Sequence, residues 1–212
     1  MNRTERAVIV WKPQPRQLEF MRRPEPEALY GGAAGGGKSD ALLIEALRQV
    51  HIPHYRALIL RKTYPQLSDL VDKSQLYYRR AFPEAQYNAT SHVWVFPSGA
   101  KIWFGSMQYT KDRTNYQGKA YDFIGFDELT HFEWDEYSYM MSRNRPTGPG
   151  TRVYMRRHHQ PRRYRPRLGE GAVHHACPAR YTHCGNRHGA PAGRHRPADG
   201  AGAGIHPVQR VR

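Results

Sequence analysis

The chain has 212 residues, with 33 Lys and Arg against 18 Asp and Glu, a formal net charge of +15 and 39% hydrophobic residues. This length fits one full domain plus a remainder, and the basic charge indicates a polyanionic partner, with nucleic acid first. Because there is no long apolar run, no secretion signal and only two cysteines, we expect a cytoplasmic protein that is neither secreted nor bound to a membrane and has no disulfide framework.

The excess charge is concentrated in the last quarter of the chain. Residues 1–156 hold 22 basic and 16 acidic residues, a net +6, whereas residues 157–212 hold 11 basic and 2 acidic residues, a net +9. The second segment lacks Lys, Ser, Phe, Trp and Met and is rich in Arg, His, Ala, Gly and Pro. Such a composition cannot bury a core, so we expect a folded domain over 1–156 and a disordered tail over 157–212.

Apolar patterning in residues 1–156 alternates between strands and helices. The predicted elements are strand 27–30, helix 39–50, strand 56–64, helix 66–82, hairpin strands 92–96 and 100–104, strand 121–126, helix 134–143 and strand 151–156. Strands separated by helices favour a three-layer αβα domain with a mostly parallel sheet and the hairpin as an antiparallel addition. We expect Trp94 and Trp103 to pack against each other across the hairpin.

The first chemical motif follows the first predicted strand. Residues 32–39 have the Walker A pattern Gly-x-x-x-x-Gly-Lys-Ser, and its glycines are Gly32, Gly35, Gly36 and Gly37. Glycines let consecutive backbone N–H groups turn toward phosphate oxygens, and the helix that follows adds its positive N-terminus. In such a loop Lys38 would reach the β- and γ-phosphates of ATP, and Ser39 would hold Mg²⁺.

The second motif is an apolar strand that ends in two carboxylates, Asp127 and Glu128. Acidic side chains at the carboxyl end of a buried strand lie where open α/β sheets bind their ligands. Asp127 would bind Mg²⁺ through water, and Glu128 could take a proton from the attacking water. The strand alone is also compatible with carboxylates that only cap the next helix, but beside a phosphate loop it is the expected Walker B motif.

Together these residues resemble the large subunit of bacteriophage terminases, over about residues 11–156. The similar stretches are 13–20 (PQPRQLEF), 29–43 (LYGGAAGGGKSDALL), 60–64 (LRKTY) with Leu67, 116–118 (YQG) and 124–132 (IGFDELTHF). The resemblance implies a P-loop ATPase of the additional-strand class that couples ATP hydrolysis to packaging of double-stranded DNA into proheads. It further implies a homo-oligomeric ring on the portal protein and a partnership with the small terminase subunit.

The resemblance also bears on single residues. Gln17 stands where an adenine-contacting glutamine is expected, although it could equally be an ordinary exposed polar residue. Related phosphate loops often carry an arginine where this chain has Ala34, so the arginine finger must come from elsewhere. The candidates are Arg61, Arg143 and Arg145, or an arginine of a neighbouring subunit of the ring.

The chain departs from the family after residue 156. There the family has a coupling motif, Thr-Thr-Asn-Pro-Gly-Gly, and later a nuclease domain, whereas residues 157–163 read RHHQPRR and no carboxylate cluster follows. Read one nucleotide later, two His codons before a codon that begins with C give only Thr or Ile, and Gln before Pro gives only Asn or Ser. From Arg157 this frame admits Ala-Thr-Thr-Asn-Pro-Gly-Gly. We therefore interpret residues 157–212 as an out-of-frame translation, and we expect neither DNA cleavage nor packaging by this chain.

Two features of residues 157–212, a set of candidate zinc ligands and a run of arginines, are then not expected to be functional sites. The candidate zinc ligands are His174, His175, Cys177, His183, Cys184 and His188. They lack the short paired spacings of zinc sites, and we expect no zinc there. The arginines of residues 162–167 would bind nucleic acid through charge alone. Besides a terminase ATPase, the sequence leaves open a helicase-like P-loop ATPase and a basic nucleic-acid-binding protein without enzymatic activity.

Overall fold

Seven strands and four α-helices lie in the part of the chain that the computed structural model describes, residues 9–32 and 35–159. The helices are α1 (Pro15–Met21), α2 (Lys38–Ala46), α3 (Tyr64–Ala81) and α4 (Trp134–Met141), with 3₁₀ helices at Thr110–Tyr116 and Leu129–His131. The strands are β1 (Glu27–Gly31), β2 (Arg56–Arg61), β3 (Gln86–Asn88), β4 (Val93–Val95), β5 (Lys101–Ser106), β6 (Phe123–Phe126) and β7 (Tyr154–His159). None of these helices is long and apolar enough to cross a membrane. The predicted disordered tail and its rejected zinc site lie outside the described residues, apart from the end of β7.

The strands form one sheet in the order β1-β7-β6-β2-β5-β4-β3. Neighbouring strands are parallel from β1 across β7, β6 and β2 to β5. Strands β4 and β3 then continue the sheet in antiparallel pairing. This arrangement confirms the predicted mostly parallel α/β sheet with a hairpin addition. One strand, β7, lies between β1, which leads into the glycine loop, and β6, which Asp127 and Glu128 follow. This is the order that the predicted additional-strand class has.

Both faces of the sheet are covered. Because side chains alternate along a strand, each buried strand contributes residues to the cores on both faces. On β2, Ala57 and Ile59 face the core under α2 and α3, whereas Leu58 and Leu60 face the core under α4 and the first 3₁₀ helix. On β6, Gly125 faces α2, and a Cβ atom there would lie 3.0 Å from Leu42 Cδ1. The missing side chain therefore lets α2, and with it the phosphate loop, pack close to the sheet.

Three predicted elements end at other residues in the structure. Strand β2 ends at Arg61 rather than residue 64, because Pro65 lies in the first turn of α3, where its fixed φ suits a helix start. Helix α2 ends at Ala46, since the turns up to Val50 close with bonds to the third residue back. Strand β7 continues to His159, three residues past the predicted domain boundary.

The predicted contact between Trp94 and Trp103 is wrong. Trp94 pairs with Ile102 in the register of β4 and β5, so Trp103, the next residue after Ile102, points to the opposite face. Trp94 packs against Tyr78 of α3, whereas Trp103 packs against Tyr121 on the other side of the sheet. The two indoles therefore serve two different cores.

Candidate active site

The phosphate loop connects β1 to α2 as predicted. Gly37 caps the start of α2 with a left-handed backbone, φ 62° and ψ 26°, which favours glycine. Lys38 is 5% exposed, and its Nζ donates to the carbonyl oxygen of Gly32 at 3.1 Å. Burial lowers the pKa of Lys38, while the nearby carboxylates of Asp127 and Glu128 act in the opposite direction. The side chain of Lys38 thus lies across its own loop, to which Gly35 and Gly36 also belong. Ala34 lies outside the described residues.

Gln17 of α1 is buried against this loop rather than exposed, at 2% exposure. Its Nε2 donates to the carbonyl oxygen of Gly37 at 2.7 Å, and its Oε1 accepts from the backbone N–H of Gln14 at 2.7 Å. A Cβ atom at Gly37 would collide with this amide. The geometry gives Gln17 a bracing contact to the loop, and its contact with adenine stays a prediction.

The two predicted magnesium-binding residues face each other. Ser39, in the first turn of α2, donates from Oγ to Oδ1 of Asp127 at 3.2 Å. Asp127 directly follows β6 and is fully buried, and desolvation raises its pKa to about 6. The carboxyl ends of β1 and β6 meet at one edge of the parallel sheet, which is why residues 88 positions apart come together.

Arg61, at the end of β2, bridges the carboxylates of Asp127 and Glu128. Its Nη1 lies 2.8 Å from Asp127 Oδ2, and its Nη2 lies 3.0 Å from Glu128 Oε1. Glu128 also contacts His131 Nδ1 through Oε2 at 3.2 Å. The backbone of Glu128 is left-handed, with φ 55° and ψ 58°, a strained conformation that is common at functional sites. The predicted base is therefore held in place by two neighbours.

The other two candidate arginines lie at the opposite end of the strands, beside Tyr121, which precedes β6. The carbonyl oxygen of Arg143 accepts from the N–H of Tyr121 at 2.9 Å, and the N–H of Arg145 donates back to Tyr121 at 3.1 Å. Tyr121 precedes Asp127 by six residues of extended chain, roughly 20 Å. Of the three candidates, the structure brings only Arg61 to the site; a role of Arg143 or Arg145 in a neighbouring subunit stays a prediction.

Sequence reasoning missed one residue of the site, His158. Its ring is 3% exposed, and Nε2 lies 3.5 Å from Ser39 Oγ and in direct contact with Asp127 Oδ1. Desolvation, with Lys38 and Arg61 nearby, lowers the pKa of His158 to about 3, so the imidazole is neutral at neutral pH. The available signal was the alternation along the last strand, which places every second residue from Tyr154 on the α2 face.

The oxygen atoms of the site fit a divalent cation. Neighbouring oxygen ligands of one octahedral Mg²⁺ ion lie about 2.9 Å apart, close to the 3.2 Å between Ser39 Oγ and Asp127 Oδ1. The described residues hold no cluster of three or more His, Cys, Asp or Glu side chains suited to a metal ion. Any metal here would consequently depend on the serine hydroxyl and on nucleotide phosphates as well as on the carboxylate.

Comparison with solved structures shows the same fold in phage large terminases. The large terminase ATPase domain of Thermus phage P74-26 matches with a TM-score of 0.53 at 18% identity, over 70% of this chain and 65% of that one. The HK97 bacteriophage large terminase matches with 0.56 at 9% identity, over 70% and 33%. The large terminase of another thermophilic bacteriophage, in complex with ATP-gamma-S, matches with 0.51 at 13% identity, over 68% and 37%. The chain thus spans less than two thirds of these proteins.

Sequence comparison carries the family assignment. No curated protein matches the chain. The family model described as terminase large subunit, T4likevirus-type, N-terminal, matches residues 29–159, from the middle of β1 to the end of β7. The matched range holds the glycine loop after β1, the carboxylates of Asp127 and Glu128, and Arg61. The chain therefore belongs to the terminase large subunit family, of which it contains the N-terminal, P-loop part.

Proposed function

We propose that this chain is the ATPase portion of a terminase large subunit, the kind of subunit that hydrolyses ATP to drive double-stranded DNA into proheads. The observation that carries the proposal is the convergence of Lys38, Ser39, Asp127 and Glu128 at one edge of a parallel sheet. They lie beside a loop in which Gly32, Gly35 and Gly37 have positive φ angles. The family assignment and the ATP-gamma-S complex of the similar thermophilic-phage terminase support it.

Each residue has a physical role in such a reaction. Lys38, which now donates to a carbonyl oxygen of its own loop, would turn to the β- and γ-phosphates and neutralise their charge. Ser39 and Asp127 would hold Mg²⁺, which supplies charge neutralisation to the phosphates when bound. Glu128 would orient the attacking water and accept its proton once Arg61 releases that carboxylate.

Arg61 is the cis residue best placed to act as the arginine finger. Its two nitrogens hold the carboxylates of Asp127 and Glu128 in the structure, so it neutralises their charge. A bound γ-phosphate would offer the guanidinium a second bidentate acceptor at the same edge of the sheet. Movement from the carboxylates to the phosphate would free Glu128 and stabilise the transition state in one step.

The partners of the chain belong to the proposal as well. Membership of the terminase family supports double-stranded DNA, the small terminase subunit, the portal protein and a homo-oligomeric ring on the portal as partners, and the cytoplasm of a bacterial host as the location. We expect this chain to bind nucleotide weakly and to lack packaging activity, because its sequence departs from the family at the coupling motif.

Equilibrium binding of a fluorescent ATP analogue tests the proposal. Lys38→Ala should weaken binding by roughly 10- to 100-fold, since it removes a charge-assisted contact to phosphate. Lys101→Ala, an exposed lysine at the start of β5, is the matched control and should leave binding unchanged. Glu128→Gln should retain binding while any ATP hydrolysis is lost. Equal binding by the Lys38→Ala and Lys101→Ala variants would contradict the proposal.

A further inference from the structure

Five basic residues lie together at the amino ends of the central strands, on the side of the sheet that α4 covers. Arg56 begins β2, Lys101 begins β5, and Lys119 lies in the loop that leads to β6. Arg143 and Arg145 follow α4. Arg143 is partly buried, and the other four side chains are exposed. These five residues, called here the amino-end surface, are at the opposite end of the strands from the phosphate loop.

Backbone pairing places the amino-end surface on neighbouring strands. Arg56 and Lys101 lie opposite each other in the parallel pairing of β2 and β5. The carbonyl oxygen of Arg56 also accepts from the backbone N–H of the residue before β6, at 2.8 Å. One residue further back, the backbone of Tyr121 bonds with Arg143 and Arg145. Because neighbouring strands are about 4.8 Å apart, the row from Lys101 to Arg145 is roughly 15 Å long.

Alternation along the strands turns the side chains of Arg56 and Lys101 to the same face of the sheet. Arg56 alternates with Leu58, and Lys101 alternates with Trp103. Both of these apolar residues belong to the core under α4 and the first 3₁₀ helix. In that core, burial raises the pKa of Tyr121 to about 12, and the charge of Arg56 acts in the opposite direction. The guanidinium of Arg56 therefore lies on the face that α4 covers.

Arg143 is oriented by an aromatic ring of α4. Its Cζ lies 5.1 Å from the centre of the Tyr139 ring, and its Nε donates to Ser142 Oγ at 3.2 Å. Arg113, in the first 3₁₀ helix, lies over the same ring at 5.9 Å. Stacking fixes the plane of a guanidinium while its N–H groups keep their capacity to donate. Such a group is suited to a bidentate contact with phosphate.

The five cations of the amino-end surface form no ion pair with the carboxylates of residues 9–32 and 35–159. Asp122 is fully buried beneath them, and its oxygens accept from the backbone N–H of Arg56 and from the N–H and hydroxyl of Thr147. Glu27, at the start of β1, pairs with Arg157. The positive charge of this surface is thus directed to solvent, where it attracts a polyanion.

We propose that the amino-end surface binds the phosphate backbone of double-stranded DNA, at the end of the sheet opposite the nucleotide. The choice of DNA as the polyanion rests on the proposed function, whereas the anionic chemistry follows from the surface itself. Each DNA strand carries one phosphate per about 3.4 Å, so a row roughly 15 Å long faces about four phosphates of one strand. Contacts to phosphate fix the position of a protein on the duplex and read no base sequence.

Lysine footprinting of the full chain tests this surface. Residues 157–212 contain 11 arginines but no lysine, so their own binding to DNA does not enter the readout. Acetylation is measured by mass spectrometry with and without a duplex of about 30 base pairs, roughly three helical turns. The duplex should abolish the reactivity of Lys101 and Lys119 and leave Lys12, before α1, and Lys73, in α3, unchanged. Equal protection of all four, or protection of none while DNA is bound, would overturn the proposal.

Substitution supplies the second measurement. A triple variant with Arg56→Gln, Lys101→Gln and Arg145→Gln should bind the duplex at least roughly tenfold more weakly at about 0.1 M salt. The slope of log K against log salt concentration should fall by roughly 2 to 3, one phosphate contact for each cation removed. A control variant removes the same charge from exposed positions elsewhere: Lys12→Gln, Arg22→Gln and Arg80→Gln. Equal effects of the two variants would assign the binding to overall charge and overturn the proposal.

Nucleotide binding separates this proposal from the proposed function. The triple variant should bind the fluorescent ATP analogue as wild type does, because its substitutions lie at the other end of the strands; this also shows that it folds. Nucleotide binding without the footprint at Lys101 and Lys119 would overturn the DNA surface and leave the ATPase intact. The footprint without nucleotide binding would support the DNA surface and contradict the ATPase.

Discussion

At the scale of single residues, Arg61 balances the charge of the site. It is the cation in contact with the fully buried carboxylate of Asp127, and it also holds Glu128. Without it, the Asp127 carboxylate would stay buried with hydrogen bonds and the more distant cations Lys38 and Lys73 to compensate its charge. Removal of one partner from a buried ion pair is strongly destabilising, because the remaining charge has lost its solvent and its countercharge.

Arg61→Ala should therefore lower the free energy of unfolding by about 3 kcal/mol in the absence of metal and nucleotide. Urea unfolding measures the change. Arg61→Lys should recover only part of the loss, since an ammonium group cannot span two carboxylates as a planar guanidinium does. Arg145→Ala removes an exposed arginine at the opposite edge and should change stability by less than about 0.5 kcal/mol. A similar effect of Arg61→Ala and Arg145→Ala would refute this view of the site.

Substitution of Gln17 tests whether this residue supports the phosphate loop or recognises adenine. Its amide bonds the backbone of Gly37 and Gln14, so Gln17→Ala should loosen the phosphate loop whatever base the nucleotide carries. We expect the affinities for ATP and GTP to fall by the same factor, roughly three- to tenfold, the equivalent of one buried hydrogen bond. Gln86→Ala, on the exposed edge strand, is the control. A loss confined to ATP would instead assign Gln17 to adenine.

Much of the site could be predicted from the sequence because its chemistry is local. Lys38 and Ser39 are specified by a glycine loop between a strand and a helix, and Asp127 and Glu128 by an apolar strand that ends in carboxylates. The contributions of Gln17 and His158 depend on which distant segments pack together, and that depends on strand order and register. No local pattern specifies that β7 lies between β1 and β6, so the histidine could not be placed beside Ser39 and Asp127.

At the scale of elements, α2 is joined to β7 by a buried ion pair. Glu45 of α2 and Arg156 of β7 are both fully buried, with Nε of the arginine 3.6 Å from Oε1 of the glutamate. The guanidinium also donates to the carbonyl oxygens of Arg23, at 2.7 Å, and Glu25, at 3.1 Å. Since α2 begins at the phosphate loop and β7 carries His158, this pair fixes two parts of the site relative to each other.

Burial gives this junction a pH dependence. Desolvation raises the pKa of Glu45 to about 6, above its ordinary value of 4.5, although Arg48 and Arg156 oppose the shift. The folded chain therefore binds this proton more tightly than the unfolded chain does. The resulting stabilisation is fully present below about pH 4.5 and is lost as the pH rises through about 6, with a size of about 2 kcal/mol.

Urea unfolding of wild type and Glu45→Gln at about pH 4 and about pH 7.5 measures this contribution. The stability of wild type relative to Glu45→Gln should fall by about 2 kcal/mol between the two pH values. Glu84→Gln, which changes an exposed carboxylate, should leave the corresponding difference almost constant. A constant difference for Glu45→Gln as well would show that this carboxylate does not titrate in the expected window.

At the scale of the whole molecule, the net charge of +15 divides into +6 on residues 1–156 and +9 on residues 157–212. The interpretation of the second segment as an out-of-frame translation predicts that the gene, read one nucleotide later after codon 156, encodes Thr-Thr-Asn-Pro-Gly-Gly without early stop codons. Nucleotide sequencing checks this outcome, and stop codons in that frame would rule it out. The charge then adds little to the expectation of a DNA partner, which depends on family membership.

The extent of the folded unit gives the last prediction. Strand β7 lies between β1 and β6, and its final residues, Arg157 to His159, pair with β1 from Leu29 to Gly31. A chain that ends at residue 159 should keep the cooperative unfolding of the full chain. One that ends at 156 loses three residues of a central strand, with the contact of Arg157 to Glu27, and should be destabilised by roughly 3 kcal/mol.

A third fragment completes this test. A chain that ends at residue 153 lacks β7 altogether, so the strand before the phosphate loop has no neighbour in the sheet, and we expect no cooperative folding. Thermal unfolding by circular dichroism ranks the three fragments, and binding of the fluorescent ATP analogue reports the phosphate loop. Equal stability of the fragments that end at 156 and 159 would place the end of the folded unit at residue 156, where the change in composition alone puts it. A progressive loss would show that Arg157, His158 and His159 belong to the ATPase fold despite the composition of the segment that they begin.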